Sequence, residues 1–205
     1  MHIFFAIAVL LASSVAGAAE SPIDRLLQFL DSSKSMQAEF SQVSIDETGN
    51  AHHKATGVVY LQKPGKFRWD YFEPYQQQII TSDGKVWFYD VDLEQVTIKR
   101  IDKAVGSTPA LLLSGQISLK DNFTLEQQGE DEGLVWVKLL PKGEENTFKY
   151  VTIGLQDGTL GGMELADNFG QLTRIYFSHV KSGGKLDPSL FEFKPPSGVD
   201  VFEDK

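Results

Sequence analysis

The chain has 205 residues, of which 41% are hydrophobic, and its formal charge is −9. This composition is typical of a globular protein with a packed core, and the length suits one domain. The acidic charge, without a cluster of Lys and Arg, argues against nucleic-acid binding, and the absence of cysteine excludes thiol catalysis, disulfides and cysteine-bound metals.

The first residues have the layout of a secretory signal peptide. Residues 3–12 form an apolar run that is too short to span a bilayer, which needs about 20 residues. Small residues follow and offer cleavage after Ala18 or Ala19. We therefore expect residues 1–19 to be a signal peptide and residues 20–205 to be a single exported, soluble domain. A buried N-terminal helix is the alternative.

A helix is predicted directly after this segment. Ser21 can cap it, Pro22 suits its first position, and Asp24 lies in the first turn, where the helix dipole favours an anion. The apolar residues recur at the spacing of one helix face, at Ile23, Leu26, Leu27 and Leu30. The pattern predicts an amphipathic helix that ends near residue 31.

The rest of the chain has the period of β-strands. Residues 66–71 alternate between charged and aromatic side chains, and Asp83-Gly84 and Asp157-Gly158 are typical hairpin turns. Strands are predicted near 37–45, 54–62, 66–72, 76–81, 85–91, 95–101, 122–128, 133–140, 148–155, 159–166 and 171–179. Many short strands with regular turns indicate a barrel or a strongly curled antiparallel sheet, hence a mainly β fold.

Two segments depart from simple alternation. Residues 86–89 are apolar on both faces of their strand, so we expect cover on both sides of the sheet there. The pattern of residues 106–115 predicts a short helix of about two turns. Because Leu111, Leu112 and Leu113 are consecutive, this helix would be apolar on every side. Such a helix is either a plug in the core or a lid over an apolar cavity, and both interpretations stay open.

No pattern in the sequence is typical of a catalytic or metal site. A nucleophile elbow, a P-loop, a calcium loop and a zinc-protease motif are all absent. His52 and His53 are adjacent and are expected in a polar turn, and Asp131 and Glu132 in a solvated one. No catalytic residue or metal ligand is assigned, and an exported protein with a covered apolar cavity is expected to bind an amphiphile.

Several motifs occur in an order that is specific in combination. They are Lys63-Pro64-Gly65-Lys66-Phe67-Arg68-Trp69, then Gln78, Ile80, Ser82-Asp83-Gly84 and Trp87-Phe88-Tyr89, the pair Thr108-Pro109, and the ending Phe191-Glu192-Phe193-Lys194-Pro195-Pro196-Ser197-Gly198-Val199. In this order and spacing the chain resembles the periplasmic lipoprotein carrier family, LolA, over essentially the whole mature length.

The resemblance implies an incomplete antiparallel β-barrel covered by a short α-helical lid. It implies a periplasmic carrier, expected to be a monomer, that takes lipoproteins from an ABC exporter in the inner membrane. Such a carrier shields their acyl chains and delivers them to an outer-membrane receptor. The resemblance implies no enzymatic activity, no metal and no other cofactor.

The resemblance also assigns individual positions. Lipid-binding and lid positions fall on Leu30, Phe67, Trp69, Pro109, Leu111, Leu112 and Leu113. Lys63 occupies the place of a basic residue, most often Arg, that holds the family's lid shut. Because Lys lacks the planar fork of Arg, the latch is expected to be looser or to be shared with Arg68. The alternatives are a solvated strand-end lysine for Lys63, and ordinary sheet core for Phe67 and Trp69.

Other functions are compatible with the same sequence features. An exported carrier or sensor of another lipid would share all of them, and the ligand that copurifies would distinguish it. A secreted lipid hydrolase would need a nucleophile and base at the cavity mouth. A purely structural envelope protein would bind no lipid.

Overall fold

The computed structural model of the chain describes residues 20–104, 108–143 and 148–204, so the predicted signal peptide, residues 1–19, lies outside the described residues. The described residues form one unclosed sheet of 12 strands. The strands are β1 Ser35–Ile45, β2 Ala51–Gln62, β3 Lys66–Glu73, β4 Gln77–Ser82, β5 Lys85–Asp90, β6 Gln95–Arg100, β7 Phe123–Asp131, β8 Leu134–Pro141, β9 Phe148–Gln156, β10 Thr159–Asp167, β11 Leu172–Ser182 and β12 Asp200–Glu203. This confirms the predicted mainly β fold.

The order of strands across the sheet is β12-β6-β5-β4-β3-β2-β1-β11-β10-β9-β8-β7. All neighbours are antiparallel except β12, which lies parallel to β6. The predicted strands all have counterparts, whereas β12 was missed because its four residues are all exposed and carry no burial pattern. His52 and His53 lie in β2 and not in the expected turn, because β1 and β2 stay paired as far as Ile45 and Ala51.

One face of the sheet, here called the inner face, carries the hydrophobic core. The first helix, α1 (Pro22–Ser32), lies on this face against β7 and β8 and buries Leu26, Phe29 and Leu30. Its start is as predicted, because the Ser21 hydroxyl accepts a hydrogen bond of 3.1 Å from the backbone N–H of Asp24.

The segment that joins β6 to β7 connects strands near opposite edges of the sheet, and it carries three short helices. These are α2 (Ile101–Ala104), a 3₁₀ helix that we call the apolar helix (Pro109–Ser114), and α3 (Leu119–Asn122). The expected α-helix over 106–115 is therefore a shorter 3₁₀ helix that starts at Pro109. Its first bond runs from the N–H of Leu111 to the carbonyl of Thr108, which is the three-residue spacing of a tight turn.

The other face of the sheet, the outer face, is covered at β3, β4 and β5 by the C-terminal segment. A 3₁₀ turn (Pro188–Phe191) packs on β3 and β4. The ring of Phe193 lies 5.6 Å from that of Trp87 and 5.8 Å from that of Tyr89. The expected cover on both sides of residues 86–89 is confirmed, since Val86 is buried in the inner core.

None of the helices within the described residues is long and apolar enough to cross a membrane.

Candidate apolar binding site

The floor of the candidate site is a cluster of aromatic rings on the inner face. Trp69 is 1% exposed and lies between Phe40, at 4.2 Å between ring centroids, and Phe177, at 6.0 Å. Phe67 stacks at 6.1 Å on the same indole. The alternation of β3 directs Phe67 and Trp69 inward, as the sequence predicts.

The apolar helix lies over this floor. Leu111, Leu112 and Leu113 are each only 1–2% exposed and belong to the same core cluster as Phe67 and Trp69. Pro109 takes the first position of the helix. The structure therefore brings the expected lid positions onto the expected floor, together with Leu30 of α1. The three leucines, which point to different sides of the helix, are therefore all buried.

Polar groups hold one end of the apolar helix better than the other. At its C-terminal end the Ser114 hydroxyl donates to the carbonyl of Leu111 at 2.6 Å, and the Gln116 amide donates to the carbonyl of Gly65 at 2.6 Å. At its start the Thr108 side chain caps no backbone N–H within the described residues. Thr108 was expected from the sequence as part of the capped start before Pro109, and the structure shows no such side-chain cap in the part of the chain that it describes. Gln116 was missed, because no residue pattern marks a tether.

A small cavity remains between helix and floor. Its volume is about 110 Å³, and it is lined by Gln42, Trp69, Tyr71, Thr108, Ala110, Met163, Leu165, Thr173 and Ile175. That volume is below the roughly 300–1,000 Å³ of pockets that hold drug-sized ligands. The structure is therefore closed, and a larger apolar ligand requires the apolar helix to move.

Two buried polar atoms line this cavity without a hydrogen-bond partner in the described part of the chain. They are the indole Nε1 of Trp69 and the hydroxyl Oγ1 of Thr108. A third polar group, the Tyr71 hydroxyl, donates to the Gln42 side chain at 3.1 Å. Burial raises the pKa of Tyr71 to about 12, and the nearby Trp69 indole partly opposes this, although its N–H makes no well-aligned hydrogen bond. Tyr71 therefore stays neutral at physiological pH, and the cavity offers unpaired donors without a charge.

Lys63 lies between α1 and the end of the apolar helix. Its ammonium donates to the carbonyl of Leu30, so its hydrogen bond goes to α1 and not to the apolar helix as the latch expectation would have it. Its stem passes over Gly115, where an added Cβ would lie 3.2 Å from the Lys63 Cε. Burial lowers the pKa of Lys63, and the nearby Asp31 carboxylate opposes that shift.

Arg68 lies on the outer face, away from the apolar helix. Its guanidinium donates to Asp70 at 2.8 Å and to the carbonyl of Leu190 at 3.2 Å, so it ties the C-terminal segment to β3. Burial raises the pKa of Asp70, and Arg68 partly offsets this. These contacts do not support the expectation that Arg68 shares the latch, because alternation along β3 separates it from the inner face.

Groups of three or more metal-binding side chains do not occur within the ranges that the structure describes. The inner face offers hydrophobic surface, a short apolar helix over it, and two buried donors without a partner in the described part of the chain. What such an arrangement can do is enclose an apolar ligand that carries a hydrogen-bond acceptor.

Known lipoprotein carrier proteins are similar to this chain in sequence. Residues 31–194 match the family described as "Outer membrane lipoprotein carrier protein LolA". The chain is 62% identical over 197 residues to the outer-membrane lipoprotein carrier protein of Methylococcus capsulatus, covering 96% of this chain and 95% of that one. It is 42% identical over 183 residues to the protein of that name from Nitrosospira multiformis, covering 89% and 88%.

Among solved structures, the chain is similar to the LolA superfamily protein NE2245 from Nitrosomonas europaea. The TM-score is 0.50 at 11% sequence identity, over 85% of this chain and 99% of that one. An uncharacterized conserved protein from Thermus thermophilus gives a TM-score of 0.52 at 14% identity, over 89% and 97%. At this identity both similarities concern the fold alone.

Proposed function

The chain belongs to the LolA family of outer membrane lipoprotein carrier proteins, and we propose that it carries lipoproteins by enclosing their acyl chains under the apolar helix. The observation that carries this proposal is the closed site itself. Three consecutive buried leucines lie between the apolar helix and an aromatic floor, and the cavity described between them has a volume of about 110 Å³.

In this mechanism the leucines and the acyl chains compete for one space. Each CH₂ group taken out of water contributes about 0.8 kcal/mol, so a lipoprotein with several acyl chains gains strongly from cover. Opening the apolar helix exposes Leu111, Leu112 and Leu113 and subtracts from that gain. The affinity is therefore moderate, and the ligand can be released without a cofactor.

The unpaired donors of Trp69 and Thr108 give the acyl chains an orientation. A buried donor without an acceptor is unfavourable by about 1–3 kcal/mol, and an ester carbonyl that enters the cavity would relieve this. We therefore expect the glyceride esters at the head of the acyl chains to lie near Trp69.

The transport route follows from these energetics. A closed carrier needs a donor that drives opening, which suits an ABC exporter in the inner membrane. It also needs an acceptor that binds more tightly, which suits a receptor in the outer membrane. In this proposal residues 1–19 are an export signal that is removed, and residues 20–205 are the carrier domain, which acts in the periplasm as a transport chaperone and not as an enzyme.

A release assay tests the proposal. Inner-membrane vesicles that contain the exporter and a triacylated lipoprotein are incubated with ATP and the purified protein. We expect the lipoprotein to appear in the soluble fraction in a one-to-one complex with the carrier. Retention of the lipoprotein in the vesicles, or recovery of the carrier with phospholipid instead, would contradict the proposal.

The matched control for this assay uses two leucines of opposite exposure. Leu112 is 1% exposed under the cover, whereas Leu93 is 70% exposed in the β5–β6 turn. Leu93→Glu makes the same chemical change as Leu112→Glu but on the surface. The surface variant should release lipoprotein normally, and the Leu112 variant should not.

A further inference from the structure

A second recess lies on the outer face of the sheet, across β8, β9, β10 and β11. We call it the outer cleft. It has a volume of about 240 Å³ and is lined mainly by Trp136, Lys138, Tyr150, Thr152, Arg174 and Tyr176, with the acidic residues Asp131, Glu132 and Glu164 at its sides. The sheet separates it from the apolar site, because these residues alternate with the buried ones along each strand.

The base of the outer cleft is built by two glycines. Gly154 and Gly162 are paired across β9 and β10, and the Trp136 ring lies over both of them. A Cβ on Gly154 would lie 2.9 Å from this ring, and one on Gly162 would lie 2.8 Å from it. Any other residue would lift the indole, so the flat position of Trp136 depends on both glycines.

The charged groups in the outer cleft are of both signs. The Lys138 ammonium lies 4.3 Å from the centre of the Tyr150 ring, and the Tyr176 hydroxyl donates to Glu132 at 3.0 Å. Burial raises the pKa of Tyr176, and Glu132 adds to this, so the hydroxyl keeps its proton. Anions meet three carboxylates here, those of Asp131, Glu132 and Glu164, and cations meet Lys138 and Arg174. This mixture favours a neutral ligand.

One buried polar atom in the outer cleft is unsatisfied within the described ranges. Thr152 is 7% exposed, and its hydroxyl has no hydrogen-bond partner. The Nε of Arg174 is not available in the same way, because it forms an ion pair with a carboxylate oxygen of Glu164 at 2.6 Å. An unmade hydrogen bond at a pocket base indicates a ligand that supplies polar atoms.

We propose that the outer cleft binds the end of a neutral saccharide. Sugar hydroxyls both donate and accept, so they can use the carboxylates of Glu132 and Glu164 together with the donors of Lys138 and Arg174. The C–H faces of a sugar ring can pack on Trp136 and Tyr150, which present an apolar face beside polar groups. The cleft is below the roughly 300–1,000 Å³ of drug-sized pockets, so it holds one or two sugar rings.

The three tryptophans of the chain provide a direct measurement. Their indole N–H signals are recorded in a ¹⁵N–¹H correlation spectrum, and the Trp136 signal is assigned with a Trp136→Phe variant. Maltose, cellobiose and N,N′-diacetylchitobiose are titrated. We expect at least one of them to shift the Trp136 signal with a dissociation constant on the order of 1 mM. The signals of Trp69 and Trp87 should stay in place.

Thr152→Val is the decisive variant, because it removes an unpaired hydroxyl and keeps the shape of the side chain. It should fold normally and bind the saccharide about 3- to 10-fold more weakly. Thr124→Val, the same change at an exposed outer position of β7, is the matched control and should bind as the parent does.

Three results would overturn the assignment. One is a Trp136 signal that no saccharide moves, and another is equal binding by the Thr152 variant and the parent. The third concerns the length of the ligand. Free sugars and the ends of envelope glycans share the same terminal chemistry, so a tetrasaccharide should bind as the disaccharide does. A gain of more than about tenfold with length would show a longer site than this cleft.

Discussion

The two helical segments on the inner face both bury leucines in the core but are held in different ways. Helix α1 has 11 residues, a Ser21 cap and one buried face against β7 and β8. The apolar helix has six residues, no side-chain cap at Thr108 within the described residues, and leucines on every side. Its polar tethers are at one end, where Gln116 reaches the carbonyl of Gly65.

This difference shows that burial alone does not decide whether a helix is part of the scaffold. The caps and the amphipathic stripe of α1 stabilise it locally, and its packing adds to that. The apolar helix has only two short turns, and we expect its stability to come mainly from the burial of its leucines. In the proposed mechanism a ligand that fills the same cavity removes that stabilisation, and we therefore expect the apolar helix to open while α1 stays in place.

The strongest test places the same charge in both segments. Leu26 of α1 is 0% exposed and Leu112 is 1% exposed. A buried carboxylate without a partner is strongly unfavourable, so each variant must expose it. We expect Leu26→Glu to unfold the protein, and Leu112→Glu to keep a cooperative fold with the apolar helix displaced. Circular dichroism melting separates the two outcomes, and Leu93→Glu controls for the added charge.

If Leu112→Glu melts as far below the parent as Leu26→Glu, the apolar helix is a plug in the core. If it melts near the parent and still releases lipoprotein normally, Leu112 has no part in the lid. Either result breaks the distinction between the two segments.

Alanine substitutions sharpen the comparison with a smaller change. Leu26→Ala should lower the free energy of unfolding by about 2–5 kcal/mol, as for a leucine in a rigid core. Leu113→Ala should lower it by less, because a locally labile segment can open without global unfolding. Urea denaturation measures both values, and equal losses would place the two leucines in one cooperative unit.

The sequence predicted the scaffold well because its signals are local. The caps of α1 and the alternation of β3 each depend on residues that are neighbours in the sequence. The strands missed or misjudged lack such signals, since β12 is wholly exposed and the start of β2 is set by pairing with β1.

The candidate site was predicted less completely. The three leucines were apparent as a run, and Phe67 and Trp69 as part of an alternating strand. The tether from Gln116 to Gly65 spans 51 positions in the chain, and no local pattern indicates it. The contacts of Lys63 and Arg68 likewise depend on which distant segment packs against each side chain. The sequence of one strand does not reveal this.

The unpaired donors of the cavity predict a preference for ligands that carry a carbonyl acceptor. The expected difference in affinity is about 2- to 10-fold, which corresponds to the net contribution of one hydrogen bond. A diacylglyceryl peptide with ester links should bind more tightly than the same peptide with ether links, because only the ester has a carbonyl acceptor. Trp69→Phe should abolish this preference. Fluorescence competition with a lipid probe measures the affinities.

The matched control for the ester preference is Trp87→Phe, which changes an indole on the outer face. If the Trp69 variant keeps the preference, the ester does not lie near that indole. If neither lipid binds, the carrier function itself is wrong, and the two failures are therefore distinguishable.

Lys63 tests the contact between the two segments. Lys63→Leu keeps much of the stem but removes the donor to the carbonyl of Leu30. Loss of one hydrogen bond, about 0.5–1.5 kcal/mol, should favour the open form. The empty protein should then bind a hydrophobic dye more strongly, and lipoprotein transfer to the receptor should decrease. Lys63→Arg keeps a donor, so it should stay closed and bind the dye as the parent does. If Lys63→Leu also binds the dye as the parent does, Lys63 is an ordinary surface lysine.

The smallest expected effect is the pH dependence that Lys63 contributes. Burial lowers its pKa in the folded protein below the ordinary value of 10.5, so between these two pKa values the unfolded chain binds more protons than the folded one. The free energy of unfolding contributed by Lys63 therefore rises as the pH increases through that window, and it is constant below it. Urea denaturation of the parent and of Lys63→Arg, which does not titrate there, should show the rise in the parent alone. The same rise in both proteins would assign the titration to another group and would mean that the ammonium between α1 and the apolar helix is fully solvated.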